Sequence, residues 1–95
     1  MTYKLTFLKQ AKKEWDKLDS QVQSQFKKKL IERLENPIVS KDRLSGFEDC
    51  FKIKLRTSGY RLVYKIFKER ITIQVITIAK RDKNLVYDLV KDRLT

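Results

Sequence analysis

The chain has 95 residues, with 23 Lys or Arg against 12 Asp or Glu, a formal net charge of +11 and no histidine. This length supports one compact domain, residues 1–95, with a modest core, so an active site must lie on an exposed face. The lack of histidine excludes the mechanisms that use it as a general base, among them those of Ser and Cys proteases and many nucleases.

The composition also restricts the compartment and the partners. The single cysteine, Cys50, excludes a disulfide framework, and without a Cys/His cluster the usual structural zinc site is excluded. The N-terminus lacks a secretory apolar region, and no run approaches the ~20 apolar residues that span a bilayer, so we expect a cytoplasmic protein with no membrane partner. The positive charge favours a polyanionic partner, either nucleic acid or an acidic protein.

The first part of the chain predicts a strand and a helical hairpin. Residues 3–7 alternate apolar and polar side chains, which predicts a short strand, and 8–18 carry apolar residues at helical spacing. Ser20 and Gln23 fit an S-x-x-Q capping box, so we predict a second helix that starts there and stops before Pro37. Two helices joined by so short a turn need a sheet to cover their apolar stripes.

The second part predicts an antiparallel meander and a last helix. The run 50–79 holds three β-rich segments separated by short turns. In the third, 71–79, apolar residues occupy both parities, so this strand is either buried on both faces or bulged, and we expect it at the centre of the sheet. Asp82 or Asn84 can cap the last helix. Its predicted apolar stripe is Leu85, Val86, Leu89 and Val90.

The predicted order is βααβββα. It corresponds to a small α+β domain in which a helical hairpin packs on a mainly antiparallel four-stranded sheet.

The first strand of the meander has a cationic face. Alternation places Lys52, Lys54 and Arg56 on one side, and a hairpin turn brings Arg61 of the next strand close to them. Like charges in one row destabilise a sheet, so their regular spacing favours an anion-binding groove. The alternative is a solvated face of a generally basic protein, which is the usual state of a charge run.

Other candidates lie outside this strand. Tyr87 is either an exposed ring able to stack on a nucleotide base or a half-buried core tyrosine. Lys27 and Lys28 belong to a lysine triplet that spreads around its helix and gives general attraction to nucleic acid. The predicted RNA-contacting cations are Arg56, Lys80, Lys65, Lys27 and Lys28.

Three segments carry a family resemblance: AKKEWDKL, CFKIKLRTSGYRLVY and AKRDKNLVY. The last two combine a cation-alternating strand, a Ser-Gly-Tyr-Arg turn, and a Lys-Arg pair followed by Tyr at a fixed distance. Together they resemble the RelE toxins of bacterial type II toxin-antitoxin systems. The resemblance implies a RelE-like microbial ribonuclease fold and a metal-independent endoribonuclease, without a cofactor, that cuts mRNA in the A site of the 70S ribosome, against 16S rRNA. It also implies a RelB-type antitoxin, through which alone the complex contacts operator DNA.

The resemblance places the catalytic residues at Lys52, Lys54, Arg61, Arg81 and Tyr87. It implies attack of a ribose 2′-hydroxyl on the adjacent phosphate, a nucleophile that DNA lacks. Lys54 is the suggested base, because neighbouring cations disfavour a further positive charge on it, although Lys52 stays open as an alternative. Arg61 and Lys52 stabilise the phosphorane, Arg81 stabilises or protonates the leaving oxygen, and Tyr87 stacks on a base.

Two other hypotheses stay open. The charge alone suffices for a non-catalytic basic module that binds RNA or the ribosome. A catalytically silent member of the same superfamily would arrest growth without cutting mRNA.

Overall fold

The computed structural model describes residues 2–80 and 83–94, without the side chains of residues 83 and 84. The strands and helices are β1 (Lys4–Phe7), α1 (Lys9–Asp16), α2 (Ser20–Glu35), β2 (Cys50–Lys54), β3 (Tyr60–Phe67), β4 (Thr72–Lys80) and α3 (Lys83–Leu94), with short 3₁₀ turns at Ser40–Asp42 and Lys68–Arg70. The predicted order βααβββα is confirmed. In the described part of the chain, no helix is both long and apolar enough to cross a membrane.

The sheet is mixed, in the order β1-β4-β3-β2. Strands β2, β3 and β4 form the predicted antiparallel meander, whereas β1 lies parallel to β4. The central position predicted for the last strand is confirmed. Val63 pairs with Thr77 and Tyr64 with Val75, so Ile76 is an extra residue that forms a bulge. Both explanations of the mixed parity hold, because β4 is bulged and also buried on both faces.

One face of the sheet is covered by the helical hairpin. Ala11 and Trp15 of α1 and Phe26 and Leu30 of α2 are buried there against the sheet. The predicted capping box is wrong by one residue: the Asp19 carboxylate accepts from the Val22 N–H at 2.9 Å, as the N-cap of α2. Asp and Ser are about equally good N-cap residues, so the sequence pattern alone does not choose between them, and in the structure Asp19 takes the role.

The Gln23 side chain, predicted to reach back to the cap, donates to the Trp15 carbonyl at 2.7 Å. It therefore ties α2 to the end of α1 and does not form a capping box.

The opposite face is covered by α3. Val86 and Val90 are buried against it, while Leu85, predicted in the same stripe, is 44% exposed. Leu89 is half-buried. Successive residues of a helix are about 100° apart, so a stripe centred on Val86 and Val90 turns Leu85 toward solvent. Of the two predicted caps, Asn84 lies inside α3, which begins at Lys83, and Asp82 is outside the described residues.

Candidate functional site

The β2–β3 hairpin positions the cationic residues. Lys54 lies directly opposite Arg61 in the antiparallel register, and Lys52 lies two residues further from the turn. The Gly59 N–H donates to the Leu55 carbonyl at 2.8 Å, and Gly59 has a φ of 79°, a left-handed conformation that glycine adopts without strain. The predicted hairpin is confirmed, and it brings these three cations together on the α3 side of the sheet.

These cations line a cavity of about 160 Å³. Its described lining consists of Leu44, Lys52, Lys54, Arg61, Val86 and Tyr87. Four of the five predicted catalytic residues therefore meet in one place, and Arg81 lies outside the described residues. Three positive side chains and no carboxylate are among the residues named, so the cavity is suited to an anion.

Tyr87 is half-buried, as in the prediction of a half-buried core tyrosine and not of an exposed ring. It nevertheless borders the cavity. Its ring centroid lies 6.0 Å from that of Phe47, with the ring planes inclined at 35°. Phe47 was not singled out from the sequence. The signal available in the sequence was an aromatic residue directly after a glycine. In the structure, Gly46 has a φ of 85° and turns the loop.

A second cleft, of about 480 Å³, lies at the outer edge of β2. Lys52 and Lys54 border it as well as the cavity, so the two are adjacent. Its other basic residues are Lys29, Arg33, Lys41 and Arg56, and its acidic residues are Glu32 and Asp42, of which Asp42 pairs with Arg33. Arg56 lies beyond the end of β2, in the turn, and with Lys28 also borders a neighbouring depression of about 340 Å³. The basic surface therefore continues from the cavity around the edge of the sheet to α2.

The remaining predicted RNA contacts lie elsewhere. Lys80 pairs opposite Tyr60, and its Nζ lies 5.5 Å from the centroid of that ring. It is on the side of the sheet that the helical hairpin covers. Lys65 is on the α3 side but four residues beyond Arg61, about 13 Å along the strand. Lys27 borders an apolar groove between β1 and the helical hairpin.

A buried network holds the backbone of β2. Arg33 Nη1 donates to the Tyr64 hydroxyl at 2.9 Å and to the Lys52 carbonyl at 3.4 Å, and Arg33 Nη2 pairs with the Asp42 carboxylate. The Tyr64 hydroxyl donates in turn to the Pro37 carbonyl at 2.7 Å. Burial raises the pKa of Tyr64. No periodic pattern in the sequence marked Arg33, because its partners lie far away in the chain.

The described residues contain no group of three or more His, Cys, Asp or Glu side chains placed to hold a metal ion.

Comparison with known proteins identifies the family and supports the fold. Residues 5–85 match the family of the ParE toxin of the type II toxin-antitoxin system parDE. The mRNA interferase toxin RelE of Escherichia coli strain K12 is 48% identical over 94 residues, which cover 99% of each chain.

Solved structures agree with this assignment. A double arginine-to-alanine mutant of E. coli toxin RelE in the free state superposes with a TM-score of 0.92 at 46% identity, over 100% of both chains. A chain of the intact E. coli RelBE toxin-antitoxin complex gives a TM-score of 0.82 at 49% identity, over 85% of this chain and 99% of that one.

The mixed sheet with a helical hairpin on one face is thus the architecture of the small toxins of type II toxin-antitoxin systems. Within that class, the chain belongs to the RelE family. The resemblance and the fold inferred from the sequence are confirmed.

Proposed function

We propose that this chain is a ribosome-dependent mRNA interferase, a metal-independent endoribonuclease toxin that cleaves mRNA in the ribosomal A site and so stops translation. In this proposal, residues 1–95 act as a single toxin domain in the cytoplasm. The observation that carries the proposal is the meeting of Lys52, Lys54, Arg61 and Tyr87 in one cavity. The E. coli relative that is 48% identical is named an mRNA interferase, which supports the reaction class.

The chemistry follows from the placement of the cations. Directly opposed residues on antiparallel strands have Cβ atoms about 4.5–5.5 Å apart, so one phosphate can contact both Lys54 and Arg61. Arg61 and Lys52 stabilise the negative charge that develops on the phosphorane oxygens. Lys54 is the proposed acceptor for the proton of the attacking 2′-hydroxyl, with its neighbour Lys52 as the alternative.

The two remaining residues act on the leaving group and on the base. Tyr87, held against Phe47, presents part of its ring to the cavity for stacking on a base. Arg81 is proposed to stabilise the charge of the departing 5′-oxygen.

The size of the cavity supports the proposed requirement for the ribosome. A volume of about 160 Å³ accommodates a phosphate and its immediate neighbours and leaves the rest of the mRNA outside. Correct alignment of the 2′-hydroxyl must then come from elsewhere, and positioning of reactants is worth about 7–11 kcal/mol of barrier. In the proposed reaction the toxin supplies the charge, and the decoding site with its 16S rRNA supplies the orientation.

The proposal includes a restraining partner. The E. coli relatives include an intact RelBE complex and RelE bound to a peptide of the antitoxin RelB. A net charge of +11 favours association with an acidic partner, and we propose a RelB-type antitoxin in that role. Operator DNA would be contacted only through the antitoxin.

A second candidate function is a non-catalytic RNA- or ribosome-binding module. The observation that favours it is the basic cleft of about 480 Å³ at the edge of β2, which is larger than the cavity and could bind RNA phosphates by itself.

One experiment separates the two functions. The purified protein is added to programmed ribosomes that carry a defined mRNA, and cuts are mapped by primer extension beside a naked-mRNA control. Cuts in the A-site codon that require ribosomes and are strongly reduced in Tyr87→Ala and Arg81→Ala support the interferase. Lys13→Ala is the matched control, since Lys13 is an exposed cation on α1, on the hairpin face. Intact mRNA together with ribosome binding would replace the interferase by the binding module.

A further inference from the structure

An ion pair remote in sequence joins the two helical layers. Arg93, in the last turn of α3, donates from Nη1 to Glu14 Oε1 at 2.8 Å and from Nη2 to Glu14 Oε2 at 3.0 Å. Glu14 belongs to α1, which packs on the opposite face of the sheet. The Arg93 side chain is only 11% exposed, and this bidentate geometry is the strongest that an arginine and a carboxylate adopt.

The same pair completes the hydrogen bonding of β4 at its bulge. β1 pairs with β4 only as far as Val75, and Ile76 is the extra residue of the bulge. Arg93 Nη1 donates to the Ile76 carbonyl at 2.9 Å, and the Ile78 N–H donates to Glu14 Oε1 at 3.1 Å. Where β1 ends, the two side chains therefore take the place of a neighbouring strand, which satisfies backbone groups that are costly to bury alone.

The rest of α3 has a small apolar anchor. Among its described side chains only Val86 and Val90 are buried, and both are small. Tyr87 precedes Arg93 by six residues, about 9 Å along the helix axis. Fixing Arg93 to Glu14 and Ile76 sets the angle and the rotation of α3 about its axis, and these determine where the Tyr87 ring lies.

We propose that Glu14 and Arg93 are positioning residues for the cleavage reaction, because their ion pair holds α3 in the orientation that keeps Tyr87 beside Lys52, Lys54 and Arg61. The inference rests on the proposed function. Neither residue borders the cavity, so in this proposal their effect on cleavage is indirect and is exerted through the position of Tyr87. A displacement of about 1 Å in a reacting geometry can lower a rate on the order of 10²-fold, and this is the loss expected when the pair is broken.

The test is a double-mutant cycle between Arg93 and Tyr87. Single-turnover cleavage on programmed ribosomes and ribosome affinity are measured for the unmodified protein, Arg93→Met, Tyr87→Ala and the double variant. Arg93→Met is expected to slow cleavage by about 10²-fold with ribosome affinity kept. The double variant is expected to cut no more slowly than Tyr87→Ala, since a residue that acts only through Tyr87 has nothing left to position. Losses that multiply in the double variant, or full activity of Arg93→Met, would overturn the proposal.

Conservative variants and a matched control guard against a general effect on folding. Arg93→Lys keeps the charge but lacks the fork of donors, so it should restore part of the rate lost in Arg93→Met. Asp16→Asn removes an exposed ion pair on the same helix α1, Lys12 Nζ to Asp16 Oδ1 at 2.6 Å, and should leave the rate unchanged. An equal loss in Asp16→Asn would count against a specific role of Glu14 and Arg93.

Hydrogen exchange separates failure of this inference from failure of the proposed function. Arg93→Met should accelerate amide exchange in α3 more than in β3 and β4, whether or not the protein cuts mRNA. Absence of cleavage by the unmodified protein would overturn the interferase and the positioning role together. Normal cleavage with unchanged exchange in Arg93→Met would overturn the positioning role alone.

Discussion

The two faces of the sheet differ in the size of the apolar side chains that they bury. On the hairpin face, large rings pack in sequence: Trp15 lies 5.4 Å from Phe7 and 6.4 Å from Phe26, measured between ring centroids. On the α3 face, the buried residues contributed by the helix are Val86 and Val90. The larger apolar area is removed from water on the hairpin face, which therefore supplies more of the stability.

The α3 face, on which the described part of the helix buries only small apolar side chains, carries the candidate site. Lys54 and Arg61 are directly opposed there, an arrangement that destabilises a sheet. Because the helical hairpin stabilises the sheet, the α3 face can hold like charges close together. Variants on the two faces should consequently separate stability from activity.

The largest effect on stability is expected on the hairpin face. Phe26 is fully buried between the helices and the sheet, so Phe26→Ala should lower the free energy of unfolding by about 3–5 kcal/mol through lost burial and a residual cavity. Urea denaturation followed by Trp15 fluorescence measures the change. Ile31→Ala, at a residue 64% exposed on the same helix, should stay within about 0.5 kcal/mol of the unmodified protein. Equal losses in both variants would refute the assignment of the core to this face.

The next effect concerns activity on the α3 face. Lys54→Met should reduce cleavage on programmed ribosomes by about 10²–10³-fold, the loss typical when a charge-stabilising group is removed. Its free energy of unfolding should stay the same or rise, because Arg61 no longer opposes a like charge. Lys13→Met serves as the control for general loss of positive charge. If Lys54→Met is less stable than the unmodified protein but still cleaves mRNA, Lys54 serves stability and not the reaction, and the assignment of the site to the α3 face is wrong.

A smaller effect tests the anchoring of α3. Val90→Ala removes two buried carbon atoms, and we expect a loss of about 1.5–2 kcal/mol in the free energy of unfolding. Hydrogen exchange should show the loss first in α3. Leu85→Ala, at the exposed residue once placed in the same stripe, should change stability by less than about 0.5 kcal/mol. If Leu85→Ala is the more damaging variant, the helix packs in the orientation that the sequence pattern predicted.

The smallest effect is a pH dependence at Cys50, which is buried on the α3 face. Burial raises the pKa of this thiol to about 11 from 9.0. The folded protein then holds a proton that the unfolded chain releases, so the thiol has no effect on stability below pH 9. Stability falls as the pH rises through 9 toward 11, by about 1.4 kcal/mol at pH 10.

Urea denaturation at pH 8 and pH 10, compared between the unmodified protein and Cys50→Ala, measures this contribution. The variant should show a weaker dependence on pH. An identical dependence in the two proteins would assign it to other groups.

Much of the local structure could be predicted from the sequence. Alternation at period two identified the strands of the meander, and the same alternation placed Lys52 and Lys54 on one face. The turn at Gly59 then placed Arg61 beside them, so the family resemblance and the residue pattern led to the same cavity. These features depend on neighbours a few residues apart, and such neighbours leave a visible period.

Errors arose where two local solutions were nearly equivalent. Asp19 and Ser20 are both good N-caps, and the sequence pattern does not decide which of them begins α2. Likewise Leu85 and Val86 are both apolar, and only the docking of α3 decides which one faces the sheet. Phe47 and Arg33 were missed because their partners, Tyr87 and Tyr64, lie far away in the chain.

The sequence by itself determined the positive charge, the order of the elements, the antiparallel hairpin and the row of cations on it. The tertiary structure decided that β1 lies parallel to β4, that α3 covers the face opposite the helical hairpin, and that Arg93 meets Glu14 across 79 residues. The physical reason is the range of the interactions. Periodicity records which side of an element is apolar, whereas the choice of the surface that buries it depends on the packing of the whole chain.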